Sequence, residues 1–202
     1  TITIGDVSLT GAGGIVIYDN SDSTIEIGAV VQEGSSDSLG GYYGDLISLA
    51  IVDNGSDAGM SITIESFTST LGYTDAEVLI DNNDDVSITI GDIKMSDMAT
   101  VDFLVTDNQN ATIHLGNVTL SATDNVSFTV TDNYAAGITI SDVELSASSV
   151  SFDITDNDSA TVTVGDIDVT ADSSFDLDVT GSNTDEVVTL GDISVDLSES
   201  GS

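Results

Sequence analysis

A short pattern of alternating apolar residues followed by Gly-Asp recurs along the whole chain and constrains its fold more than any other feature. The clearest copies are T-I-T-I-G-D (1–6), S-I-T-I-G-D (87–92), T-I-H-L-G-N (112–117), I-T-I-S-D (138–142), V-T-V-G-D (162–166) and V-T-L-G-D (188–192), with weaker copies at 24–29 and 61–66. The residue after the second inward apolar side chain stands at positions 5, 28, 65, 91, 116, 141, 165 and 191, so the spacings are 23, 37, 26, 25, 25, 24 and 26. A period near 25 residues therefore covers the chain, and only the second repeat is lengthened.

Each repeat contains three groups of alternating apolar residues, separated by residues that favour turns. The inward positions of the fifth repeat are Ile113, Leu115, Val118, Leu120, Val126, Phe128 and Val130, and those of the sixth are Ile138, Ile140, Val143, Leu145, Val150, Phe152 and Ile154. Three short strands and three polar corners per turn predict an all-β chain, a single parallel β-solenoid of about eight three-sided coils.

An antiparallel β-sandwich is the competing interpretation, because its short strands would alternate in the same way. A sandwich does not explain why the same residue type returns at every third strand. In a solenoid each strand pairs with its counterpart one coil away, so equivalent residues stack about 4.8 Å apart. The near-identical columns favour the solenoid.

The domain prediction is one solenoid over 1–202, with a loop insertion at 34–45 in coil two and an incomplete last coil at 186–202. The insertion is rich in glycine and contains Tyr42 and Tyr43. Aromatic residues are enriched at interfaces, so these tyrosines are candidates for lateral contacts. A tolerated surface loop is the alternative.

The charge of the chain excludes several partners. Its 202 residues include 36 Asp and Glu but only Lys94 as a Lys or Arg, so the formal net charge is −35. Binding to nucleic acid or to an anionic membrane surface depends on Lys and Arg, and both are excluded. No apolar run approaches the roughly 18–20 residues that span a bilayer. The expected electrostatic partners are cations, basic proteins or a salty medium.

The sequence predicts no catalytic site and no certain cofactor. His114 is the single histidine, it faces outward by strand parity, and cysteine is absent. No serine is marked as an activated nucleophile. Carboxylate pairs occur throughout the chain, so a pair identifies nothing here. We therefore expect a protein that is not an enzyme.

Acidic corners are the candidate metal site. Asp-Asn pairs recur at one corner, where the candidate calcium ligands are Asp19, Asp53, Asp81, Asp107, Asp132 and Asp156. A second acidic column contains Asp6, Asp92, Asp142, Asp166 and Asp192, with Asn117 among them. Carboxylates about 4.8 Å apart repel, and Ca²⁺ would convert this repulsion into cross-links. The alternative is that Asp and Asn accept left-handed corner geometry and that asparagines stack, with salt screening the charge.

Two further patterns lie on the predicted outer surface. Threonines recur on the first strand at Thr3, Thr63, Thr89, Thr139, Thr163 and Thr189, with Glu26 and His114 interrupting them. Flat threonine arrays resemble those of ice-binding solenoids, although threonine is also a common exposed strand residue. Five Asn-x-Ser/Thr sequons begin at Asn54, Asn110, Asn117, Asn125 and Asn157, and they matter only if the source glycosylates.

No polar cap is visible at either end of the predicted solenoid, and such ends expose strand edges and core. The expected result is head-to-tail self-assembly into a homopolymer, which does not close and so gives a filament. The residues expected at the joint are Thr1, Ile2, Thr3, Ile4, Ile193, Val195 and Leu197.

By its x-I-x-I-G-D and T-D-N repeats, the chain resembles prokaryotic secreted β-solenoid proteins of cell surfaces and extracellular filaments. This resemblance covers the whole chain and implies an extracellular structural role without assigning a site. The expected function is that of a structural subunit of an extracellular filament, with divalent cations such as Ca²⁺ as the expected modulator. The alternatives are a segment of a calcium-dependent adhesin stalk and a solenoid that binds ice or another surface.

Overall fold

The computed structural model of the chain describes residues 1–11, 13–21, 23–35, 46–55, 59–72, 75–181 and 185–198. These residues form β-strands and no helix. The strands are β1 (Ile2–Ile4), β2 (Val7–Thr10), β3 (Ile15–Tyr18), β4 (Thr24–Ser35), β5 (Leu46–Val52), β6 (Met60–Gly72), β7 (Asp75–Asp81), β8 (Val86–Ile90), β9 (Ile93–Thr106), β10 (Thr112–Leu115), β11 (Val118–Thr131), β12 (Gly137–Ile140), β13 (Val143–Thr155), β14 (Thr161–Val164), β15 (Ile167–Thr180), β16 (Val187–Leu190) and β17 (Ile193–Leu197).

Each strand pairs in parallel with its counterpart one turn away, which confirms the predicted β-solenoid. β10 lies between β8 and β12, so Ile113 stacks between Ile88 and Ile138. These partners are separated by 25 residues, as the repeat predicts. The described residues complete about seven turns, which is close to the predicted eight. β16 and β17 begin a further turn, which the described residues do not complete.

The expectation of three separate strands in every turn is wrong in detail. Among the described residues, only those of the first turn form three strands, β1 to β3. In the next two turns the first two segments merge into one strand, as in β4 and β6, and from β9 to β15 the second and third segments merge. The Ser-Ala-Thr-Asp-Asn segment predicted as a corner lies inside β11, where the pairing with β13 shifts register between Ser121 and Asn125. The segment thus interrupts the regular pairing of β11 without dividing it into two strands.

The core is a set of apolar columns along the solenoid axis. Side chains alternate between inward and outward along each strand, so the inward residues of successive turns stack on one another. One column contains Val78, Phe103, Phe128, Phe152 and Leu177. The rings of Phe103 and Phe128 are parallel with centroids 4.7 Å apart. Burial of such columns is the main favourable term in the fold.

Candidate self-assembly ends and acidic columns

A ladder of asparagines lies at the predicted Asp-Asn corner. From Asn20 to Asn133, the side-chain amide of each asparagine donates to Oδ1 of the next at 2.8–3.0 Å. From Asn54 onwards, Nδ2 also donates to a backbone carbonyl of the preceding turn. The ladder consists of Asn20, Asn54, Asn83, Asn108, Asn133 and Asn157. All but Asn20 are buried. The stacked asparagines that are the alternative to calcium binding at this corner are therefore present.

The residue before each ladder asparagine has a left-handed backbone. These residues are Asp19, Asp53, Asn82, Asp107, Asp132 and Asp156, with φ between 50° and 55°. The predicted pair of Asp81 with Asn82 is wrong by one residue, because Asp81 pairs in register with Thr106 rather than with Asp107. Five of the six candidate calcium ligands consequently share the corner column, and Asp81 lies one position before it. Asp and Asn tolerate this backbone region better than most residues.

Hydrogen bonds within the chain reduce the repulsion expected along this column. Asn82 is neutral, stands between Asp53 and Asp107, and donates from Nδ2 to Asp53. The hydroxyls of Thr106 and Thr131 each donate to the following aspartate at 3.2 Å. Within the described ranges, no three His, Cys, Asp or Glu side chains are grouped so that they could hold a metal ion. Calcium binding here stays a prediction.

The environment of Asp81, one position before this column, disfavours the charge of its carboxyl. Burial raises the pKa of Asp81, and the carboxylates of Asp107 and Asp53 raise it further, against a hydrogen bond with the Asn82 backbone. An acid with a raised folded-state pKa destabilises the fold while ionised. This loss of folding stability is complete at pH 7. It disappears as the pH falls through the raised pKa of the folded state towards the ordinary value of 3.8.

We therefore expect Asp81→Asn to raise the thermal midpoint at pH 7 by about 1–2 °C. The increase should vanish near pH 3, where the wild-type carboxyl is protonated in both states. Thermal unfolding followed by circular dichroism at both pH values measures it. Asp124→Asn removes one charge from an exposed site and is the matched control. An equal gain from both variants at pH 7 would contradict a local cause.

The second acidic column forms a regular chain of hydrogen bonds at the Gly-Asp corner. Asp92 accepts the backbone N–H of Asn117 at 2.9 Å, and Asp166 accepts that of Asp192 at 2.9 Å. Asp6, Asn117 and Asp142 accept from the next turn in the same way. Each side chain thus fixes the corner of the turn that follows it, a role that the sequence analysis did not predict.

This corner also explains the glycine that precedes the aspartate. A Cβ at Gly116 would lie 2.7 Å from Asp92 Oδ1, and one at Gly191 would lie 2.5 Å from Asp166 Oδ1. A Cβ at Gly28 or at Gly165 would also lie 2.5 Å from an aspartate Oδ1 of the preceding turn. The repeated glycine is therefore required by the close approach of one turn to the next.

Inward-facing apolar residues are exposed at both ends of the described solenoid. Ile2 is 47% exposed although it stacks on Ile25, which is 4% exposed. At the other end Leu197 is 56% exposed, whereas its partner Ala171 is fully buried. The predicted joint residues Ile4, Ile193 and Val195 are exposed in the same way, and so are Leu177 and Val179, which the sequence analysis did not name. The predicted joint residues Thr1 and Thr3 are exposed beside them.

The outward face of the first strand has the predicted threonine column. Its order is Thr3, Glu26, Thr63, Thr89, His114, Thr139, Thr163 and Thr189. Thr3 lies 3.5 Å from Glu26, from its hydroxyl to Oε2. His114 is exposed between Thr89 and Thr139. Glu26 and His114 therefore divide the column into shorter runs. Tyr42 and Tyr43, the predicted lateral contacts, lie outside the described residues.

Comparison with known proteins gives no relative for this chain. No protein-family model, curated protein or solved structure matches it. For the residues that the structure describes, no helix has the length and apolar character needed to cross a membrane.

Proposed function

We propose that this chain is a non-catalytic structural subunit of an extracellular filament, in which solenoids stack head to tail. The observation that carries the proposal is the exposure, at both ends, of apolar side chains that belong to the inward columns. Covering a half-exposed Ile, Val or Leu contributes about 1 kcal/mol. The acidic composition and the repeat pattern support an extracellular location.

The two ends match in register. In the solenoid's own stacking order, a second copy would place its Ile2 on Val188 and its Ile4 on Leu190, because these residues occupy the same columns. The link from Ile4 to Val7 has the same length as that from Leu190 to Ile193, and both links are Gly-Asp. β2 of the second copy would therefore fall on β17 without a shift.

The Gly-Asp corner supplies a polar contact for the same joint. Along the chain each corner carboxylate accepts the backbone N–H of the equivalent residue one turn later. Asp192 occupies the last such corner and Asp6 the first. Asp192 Oδ1 of one copy would accept the N–H of Asp6 in the next, which repeats the internal geometry at the joint.

The joint covers β16 and β17 but not all of β15. β17 pairs with β15 as far as Ala171, and Leu177 and Val179 of β15 are exposed beyond this pairing. The affinity of the joint therefore comes from two of the three segments of a turn. A charge of −35 on each copy opposes stacking, so salt or divalent cations are expected to promote it.

Gly5→Val tests the joint without a change in the isolated solenoid. A Cβ at Gly5 has no atom within 4 Å in the single chain. In the stack Gly5 would take the position that Gly191 has against Asp166, where a Cβ lies 2.5 Å from the carboxylate. We expect wild-type protein to form filaments in negative-stain electron microscopy at about 0.5 M salt. Gly5→Val should remain monomeric with an unchanged unfolding midpoint.

Gly137→Val is the matched control, because Gly137 is equally open, lies far from both ends and shares its outward column with Val187. This variant should assemble like the wild type. Filaments of undiminished length from Gly5→Val would overturn the proposed joint. Wild-type protein that stays monomeric across salt and Ca²⁺ concentrations would overturn the filament itself.

A further inference from the structure

The fold separates the five sequons into two groups. Asn54 and Asn157 belong to the buried ladder. The amide of Asn157 donates to the carbonyls of Val130 and Thr155, both at 3.0 Å, so both of its hydrogens are in use. The amide of Asn54 donates to two carbonyls and to Asn83 in the same way. A substituent on either nitrogen would break the ladder.

The other three sequons present both of their reactive residues to solvent. Asn110, Asn117 and Asn125 are exposed. The middle residues of these sequons, Ala111, Val118 and Val126, are buried in the core. Asn125 lies within β11, where side chains two apart point the same way, so the inward Val126 leaves Asn125 and Ser127 facing outward together. Asn110 and Asn117 lie at corners between strands, and their side chains are exposed there. The exposed hydroxyl residues are Thr112, Thr119 and Ser127, the last two in part.

We propose that Asn110, Asn117 and Asn125 are sites of N-linked glycosylation, with a lipid-phosphate-linked oligosaccharide as the sugar donor. Nδ2 of the asparagine forms a bond to the anomeric carbon of the donor. The bond from that carbon to the phosphate oxygen breaks, the lipid phosphate leaves with the electron pair, and one amide proton passes to a base of the transferase. The proposal rests on the exported route in the proposed function.

The hydrogen bonds of these asparagines are compatible with the modification. Asn117 accepts the N–H of Asp142 through Oδ1, and this carbonyl oxygen is retained in a glycosylated amide. Asn110 donates to Asp84 at 3.5 Å, and one amide hydrogen remains for this contact. No bond of the ladder or of the core is involved.

The three sites surround the middle of the solenoid. Asn110 lies between β9 and β10, Asn117 between β10 and β11, and Asn125 in the register-shifted part of β11. Glycans on all three would form a collar around one turn, with several turns free on each side. Such a collar would hinder lateral packing and leave both end surfaces open for the proposed joint.

The experiment is secretion of the full chain from a eukaryotic host, fused to a short carrier peptide with a sequon of known occupancy. Folded secreted protein is digested with a protease that cleaves at Asp, because Lys94 is the only residue after which trypsin could cleave this chain. Amidase release converts an occupied asparagine to aspartate, which mass spectrometry then locates. We expect conversion at Asn110, Asn117 and Asn125, and intact Asn54 and Asn157.

Single variants Thr112→Val, Thr119→Val and Ser127→Ala keep the asparagine and remove the hydroxyl, so each should abolish conversion at its own site only. An occupied carrier with three unmodified asparagines would overturn the proposal, and so would equal occupancy of Asn54 or Asn157 in folded protein. Assembly is measured separately on unglycosylated protein from bacteria. Failure of the filament proposal therefore leaves this mass readout unaffected.

Discussion

Replacing Asn133 with alanine is expected to lower the free energy of unfolding by about 3–5 kcal/mol. Asn133 is fully buried, and its amide donates to Val105 O at 3.0 Å, Thr131 O at 2.8 Å and Asn157 Oδ1 at 2.8 Å. Its own Oδ1 accepts two hydrogen bonds from Asn108. Alanine keeps none of these, and each buried polar group left without a partner costs about 1–3 kcal/mol.

Urea unfolding followed by circular dichroism measures this loss, provided that the slope against denaturant is unchanged. Asn125→Ala removes the same side chain from an exposed position in an adjacent part of the solenoid and should change stability by less than about 0.5 kcal/mol. If Asn133→Ala were no more harmful than Asn125→Ala, the ladder would not be a source of stability.

The ladder shows how far the sequence could be used to predict this corner. The Asp-Asn repeat located the corner in five of six turns, but the run Asp81-Asn82-Asn83 offers two ways to align it. Counting from the inward apolar residue resolves the choice. Asn108 comes three residues after Val105, and Asn83 comes three residues after Ile80, which is the partner of Val105. Inward alternation is therefore a better guide to register than the identity of the corner residue.

The period and the parallel stacking could be predicted because they depend on apolar alternation, which one sequence displays. The continuity of the strands could not. Residues 121–125 of β11 favour a turn, yet β11 continues through them with a shift of register, and pairing with β9 and β13 resumes at Asn125. This pairing is a long-range effect that local propensity does not contain.

The contacts of the Gly-Asp corner were also outside the reach of the sequence. The repeat shows glycine before aspartate but not the approach of a carboxylate from the preceding turn. One exception to the pattern agrees with the structure. Glu65 replaces the glycine, and it follows a turn in which Ala29 replaces the aspartate, so no carboxylate meets its side chain there. Ser141 is not explained in this way, because Asn117 Oδ1 accepts the N–H of Asp142 as the corner carboxylates do.

The aromatic column gives the second large effect, because Phe128→Ala is expected to lower the free energy of unfolding by about 3–5 kcal/mol. Phe128 is fully buried, and its ring stacks on Phe103 at 4.7 Å and on Phe152 at 4.8 Å. Truncation leaves a cavity between two rings. Closing it would require movement along the axis, and the parallel hydrogen bonds of β11 to β9 and β13 hold that spacing.

Phe128→Leu is the matched variant, since Leu177 already occupies this column one turn beyond Phe152. Leucine fills most of the volume and should cost about 1–1.5 kcal/mol. Chemical denaturation of the two variants beside the wild type measures the difference. A loss for Phe128→Ala as small as that for Phe128→Leu would mean that the turns can close on the cavity. Such axial compliance would contradict a rigid stack whose spacing is fixed by the strand ladders, and the proposed end-to-end joint relies on the same fixed spacing.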